Sequence, residues 1–135
     1  MAGAMSFAAQ IVYANLAEKE KIKGHHSAEG TAIRTLSRAL QGWTSESLFP
    51  ADVLSMCHQA IEDWLKARLN ISAWSATTLP DLLPQAVATR LVTRLEAVRL
   101  QRMHDLGSRS SAVVRVKSDI ENALECCIQV VEKHW

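Results

Sequence analysis

Apolar residues recur along the chain at spacings of three, four and seven, the signature of helix faces. The first helix is expected from about Ser6 to Lys23, with Phe7, Ile11, Ala14 and Leu16 on one face. Lys19, Lys21 and Lys23 crowd its last turn, where cations suit the helix dipole, and Gly24 ends it. Ser27 is placed to cap a second helix reaching Leu40, with Ile33, Leu36 and Leu40 inward and Gly42 as its stop. Trp43 to Phe49 reads as a turn. Pro50 suits the first position of a third helix. Its stripe of Val53, Leu54, Cys57, Ala60, Ile61, Trp64, Leu65 and Leu69 is broad enough for burial on more than one side, and Asn70 fits a left-handed cap.

Ile71 to Pro84 carries Trp74, two Thr and two Pro and is expected to be a structured connection. Beyond Pro84 a fourth helix carries Val87, Leu91, Leu95 and Val98 inward. Gly107 and the serines after it form the next loop. A fifth helix runs to the C-terminus with Ile120, Leu124, Cys127, Ile128 and Val131 inside. Ser118 and Glu121 read as its capping box, although a start near Ala112 fits as well. Trp64 and Trp74 are expected in the core or at its edge, and Trp135 frayed. Four or five helices with short connections imply an all-α, antiparallel four- to five-helix bundle.

Composition narrows this without changing it. The 135 residues fit one domain, 1–135, with residues 1–5 set aside as disordered or vector-derived. Apolar residues at 48% and charged at 21% are balanced as in globular proteins, and 5 Gly with 3 Pro argue against a turn-rich β fold. No Gly-rich phosphate loop, nucleophile elbow or run of apolar residues long enough to span a bilayer is visible. Three cysteines, Cys57, Cys126 and Cys127, suggest no disulfide framework. Without a secretory leader, the expected setting is the cytoplasm and no membrane contact.

The net charge of +1 is unevenly distributed. Gln85 to Lys117 holds seven cations and two anions, and Ser118 onward holds four anions and one cation. The first segment suits an anionic partner; equally, it is a solvated face docked beside an acidic helix. His25 and Glu29 share a helical spacing but make no metal site alone, so neither a metal nor another cofactor is expected.

Two stretches carry chemistry. The third helix contains His58-Gln59-Ala60-Ile61-Glu62-Asp63-Trp64-Leu65-Lys66-Ala67, and Arg99 precedes His104 with four residues between. In this order and separation they resemble the HEPN superfamily of small helical-bundle proteins, whose members often carry a His-Gln-Ala-x-Glu-x-x-Leu-Lys-Ala helix and a later Arg-x4–6-His. The resemblance covers roughly Pro50 to His134. It implies a metal-independent endoribonuclease of toxin type, working as a homodimer whose two motifs meet in one cleft, with an antitoxin as partner.

The chemistry has its own logic. RNA carries its nucleophile, the 2′-OH. Cleavage needs a proton carrier active near neutral pH, for which His104 serves, and a cation for the developing phosphorane charge, for which Arg99 serves. Arg99 and His104 are the expected catalytic pair, and Glu62 and Asp105 are expected in support, Glu62 by orienting one of the pair. Arg90, Arg94 and Arg102 suit a phosphate track.

Five helical steps rotate a residue by about 500°, so Arg99 and His104 point roughly 140° apart on a straight helix. Either the helix ends or bends before His104, or a second protomer completes the site. Structural roles compete: Arg99 beside Glu96, His104 at the helix C-terminus, and the other arginines against the acidic last helix. Leu100 stands where catalytic members carry a polar residue. That difference motivates two other expectations: a non-catalytic subunit that binds nucleotide or partners a nucleotidyltransferase, and a helical interaction protein without a site.

Overall fold

The computed structural model describes residues 27–108 and 117–135. The helix expected over 6–23, together with His25, His26, Arg109 and Arg115, lies outside the described residues. Five helices account for most of the rest: α1 (Ala28–Thr44), α2 (Pro50–Arg68), α3 (Leu79–Ala88), α4 (Arg94–Ser108) and α5 (Lys117–Glu132). The fold is an all-α helical bundle.

Local chemistry sets several of these boundaries. Ser27 accepts a hydrogen bond from the Gly30 amide at 2.9 Å, satisfying a donor the first turn leaves open. Pro50 opens α2, and Asn70 takes a left-handed φ of 58° just after its end. Thr93 and Glu96 form a reciprocal box at the start of α4, each side chain accepting from the other's amide.

Tertiary contacts show which helices run against each other. Glu29 at the start of α1 accepts from Trp64 Nε1 at 2.7 Å and pairs with Arg68 at the end of α2, so these helices are antiparallel. Arg102 near the end of α4 meets Asp119 near the start of α5, and Lys133 just past α5 returns to Glu96, so these two are antiparallel as well. Glu29 is itself buried. A carboxylate taken out of water needs both of these donors, because a buried unpaired charge costs several kcal/mol.

The core draws on every helix. Ile33, Leu36, Leu54, Ile61, Trp64, Leu65, Leu82, Leu100, Ile120 and Leu124 are fully enclosed. Fully burying one such side chain contributes about 1.5–3 kcal/mol.

Several expectations need correction. The stretch after Pro84 is two helices, not one: α3 begins earlier, at Leu79, and runs through Pro84, while Arg90 with φ 63° turns the chain before α4. The break rotates α4 so that Leu100 and Met103 face inward, and Leu95 and Val98 are 69% and 66% exposed. Gly42 does not stop α1, which continues to Thr44 with Gly42 buried inside it. Trp74 is 96% exposed; the core space is filled by Trp64 instead. Trp135 packs partly buried against the core rather than fraying. Lys117 is already helical, so Ser118 is not a cap, and Glu121 accepts from Trp43 Nε1 at 3.4 Å.

Candidate functional site

The broad inner stripe of α2 leaves one flank polar. His58, Glu62 and Lys66 follow one another at single-turn spacing on that flank. Glu62 accepts from the Leu79 amide at 3.2 Å, at the first turn of α3, where an anion offsets the positive end of the helix. Its other oxygen lies 3.5 Å from Lys66 Nζ. Lys66 is buried along its length and donates to the Ser75 carbonyl at 3.0 Å. The ammonium is therefore spent on locking the α2–α3 connection against α2, and it holds Glu62 in place.

His104 arrives from α4. Leu100 and Met103 anchor that helix in the core, and His104, four residues after Leu100, leaves the same side toward α2. Its Nδ1 lies 2.9 Å from His58 Nε2, with the ring centroids 5.0 Å apart and the rings tilted by 32°. Glu62 Oε2 lies 3.7 Å from that same His58 nitrogen. A carboxylate beside Nε2 favours a proton on that nitrogen, and the tautomers of the two rings decide which one donates in the contact. Burial lowers the His58 pKa from its ordinary value; Glu62 acts against this and His104 adds to it.

Arg99 stands elsewhere. It leaves α4 on the side facing α5, where it lines a cavity with Arg102 and Asn122. The helix runs unbroken to Ser108, so no end or bend brings Arg99 round to His104 within one chain. Glu62, expected to orient one of the pair, lies beside His58. Asp105 is exposed and accepts from Gln101 at 3.0 Å. Arg90 sits exposed in the α3–α4 turn and Arg94 exposed at the start of α4. Arg102 pairs with Asp119 at 3.6 Å while 75% exposed, as expected for arginines set against the acidic last helix. Glu96 is taken by Lys133 and by the helix cap, not by Arg99.

Sequence reasoning left His58 and Lys66 without a role and did not consider Asn122. His58 had a signal, its place in the helix motif; Lys66 and Asn122 matter only through tertiary neighbours.

Cys126 and Cys127 offer no nucleophile. Burial pushes Cys126 up to about 11 and Cys127 well above its ordinary value, with Cys57 adding to the latter. Cys127 donates instead to Met103 Sδ at 3.2 Å. Among the described residues no group of three or more His, Cys, Asp or Glu is placed to hold a metal ion. Glu29, paired in sequence with His25, gives its carboxylate to Trp64 and Arg68. No described helix is long and apolar enough to cross a membrane. Comparison of the chain with protein-family models, with curated proteins and with solved structures finds no match.

Proposed function

We propose that the protein cleaves RNA without a metal, His104 and His58 carrying the proton and Arg99 of a second copy facing the phosphate. The observation that carries this reading is the 2.9 Å contact between His58 and His104. It joins the two stretches that resemble the HEPN superfamily, 46 residues apart in the chain, at one half-open place on the surface. Such a pair suits the reaction. One ring accepts the proton of the 2′-OH as it attacks the adjacent phosphorus, and a protonated ring returns one to the departing 5′-oxygen. Glu62 keeps the His58 proton on the nitrogen that faces His104. Arg99 offers a planar fork to the extra negative charge of the phosphorane. A toxin-like enzyme with an antitoxin partner in the cytoplasm is the setting the resemblance implies.

A second reading has its own observation. Leu100, adjacent to Arg99, is wholly enclosed in the core and presents nothing to a substrate. That favours a non-catalytic subunit of the same fold, one that binds nucleotide or partners a nucleotidyltransferase.

The test is cleavage of a mixed RNA pool in EDTA by the wild type and by His104→Ala, His58→Ala and Arg99→Ala. The expected result is cleavage by the wild type and a loss of roughly 10²-fold or more in each variant. Unchanged cleavage by His104→Ala overturns the proposal. Intact RNA in every lane, with saturable nucleotide binding, establishes the second reading in its place.

A further inference from the structure

The side of α4 away from His104 carries a second constellation. Between α4 and α5 lies a half-open cavity of about 240 Å³. Arg99 and Arg102 reach it from α4, three residues apart, and Asn122 and Asp119 reach it from α5, also three apart. Met103 and Ala123, both buried, line it with apolar surface.

We propose that this cavity binds a phosphodiester group of a nucleic-acid strand, held by Arg99, Arg102 and Asn122. Three features point to that chemistry. Arg99 lines the cavity, and among the described residues no ion pair joins its guanidinium to a carboxylate. Guanidinium forks and a side-chain amide are donors that match phosphate oxygens. The charge then selects among phosphates. Two arginines and one aspartate leave the cavity with a single net positive charge, which a diester balances. A phosphomonoester near neutral pH carries about −1.5 to −2 and meets repulsion from Asp119.

Asp119 lies 3.6 Å from Arg102, and its charge penalises doubly charged ligands. An exposed pair of that length is weak enough for an entering diester to share the arginine.

The inference deepens the RNA reading, since it places a strand's backbone on the α5 side of α4, and it rests on that reading for the identity of the strand. Binding is separable from cleavage. The probe is the deoxy dinucleotide thymidylyl-thymidine, which has one diester and no 2′-OH to attack. Thymidine and inorganic phosphate are the controls, and binding is followed by calorimetry and by the Asn122 side-chain amide resonance.

The expected result is saturable binding of the dinucleotide, weakened roughly tenfold or more in Arg99→Ala. Asn122→Leu weakens it as well, and Asp119→Asn tightens binding of inorganic phosphate more than binding of the diester. No saturable binding, equal binding by Arg99→Ala, or weaker phosphate binding in Asp119→Asn overturns the inference. Dinucleotide binding by a protein that leaves RNA intact removes the cleavage reading and leaves this one standing. Cleavage without dinucleotide binding does the reverse.

Discussion

His58 is where burial and chemistry meet in one side chain. Its side chain is 30% exposed, and both His104 and Glu62 approach its Nε2, at 2.9 Å and 3.7 Å. Desolvation outweighs the carboxylate and lowers its pKa below the ordinary 6.5. The folded protein therefore binds the His58 proton less readily than the unfolded chain does. The stability His58 contributes is complete above pH 6.5 and is lost as pH falls from 6.5 toward the lowered folded value. Melting temperatures taken between about pH 7.5 and pH 5.5 should drop more steeply for the wild type than for His58→Phe. Equal slopes would mean that burial does not hold His58 neutral. The sequence marks His58 and His104 separately but not their contact. A hydrogen bond across 46 residues depends on how α2 and α4 cross, and no local rule carries that. Asn70 and Ser27 are different, since each acts on neighbours within a few positions.

At the scale of the element, α1 owes its close approach to the following loop to Gly42. A Cβ built there would lie 2.2 Å from Leu48 Cδ1 and 2.4 Å from Leu48 Cγ, so Leu48 must move if the position gains a methyl group. Alanine is the better helix former by about 1 kcal/mol, yet overpacking costs about 1–3 kcal/mol. Gly42→Ala is expected to lower stability by about 1 kcal/mol net, and Gly42→Ala with Leu48→Ala to show a favourable coupling in urea unfolding. A stabilised single variant would show that Leu48 yields freely. The same glycine shows how an element misleads: a glycine near a helix end reads as a stop, and here it is a contact. The α3–α4 break misleads in the opposite direction. Val87, Leu91, Leu95 and Val98 keep helical spacing across a turn that no glycine marks, because Arg90 itself adopts the left-handed conformation. The Thr93–Glu96 box was the signal for that boundary, and it lies inside the apparent stripe. Trp74 was misplaced for a related reason: its size suggests core, but only the filled interior around Trp64 decides which aromatic remains outside.

At the scale of the molecule, the disposition of α4 decides what a single chain can do. Its inward side carries Leu100 and Met103, one flank delivers His104 to α2, and the other delivers Arg99 to the cavity against α5. The rotation expected from helical geometry is thus preserved in the fold, and one chain does not bring the two motif residues together. If the proposed cleavage uses Arg99 from one copy and His104 from another, the two defects complement. Arg99→Ala still supplies His104, and His104→Ala still supplies Arg99. Mixed in equal amounts and allowed to exchange, half of the dimers contain one copy of each, and each such dimer rebuilds one of its two sites. Activity should return to about a quarter of the wild-type level, from two proteins that are each inactive. A mixture as inactive as its components would place any catalytic pair within one chain, where the arrangement of α4 supports His58 with His104 and leaves Arg99 to the cavity beside α5.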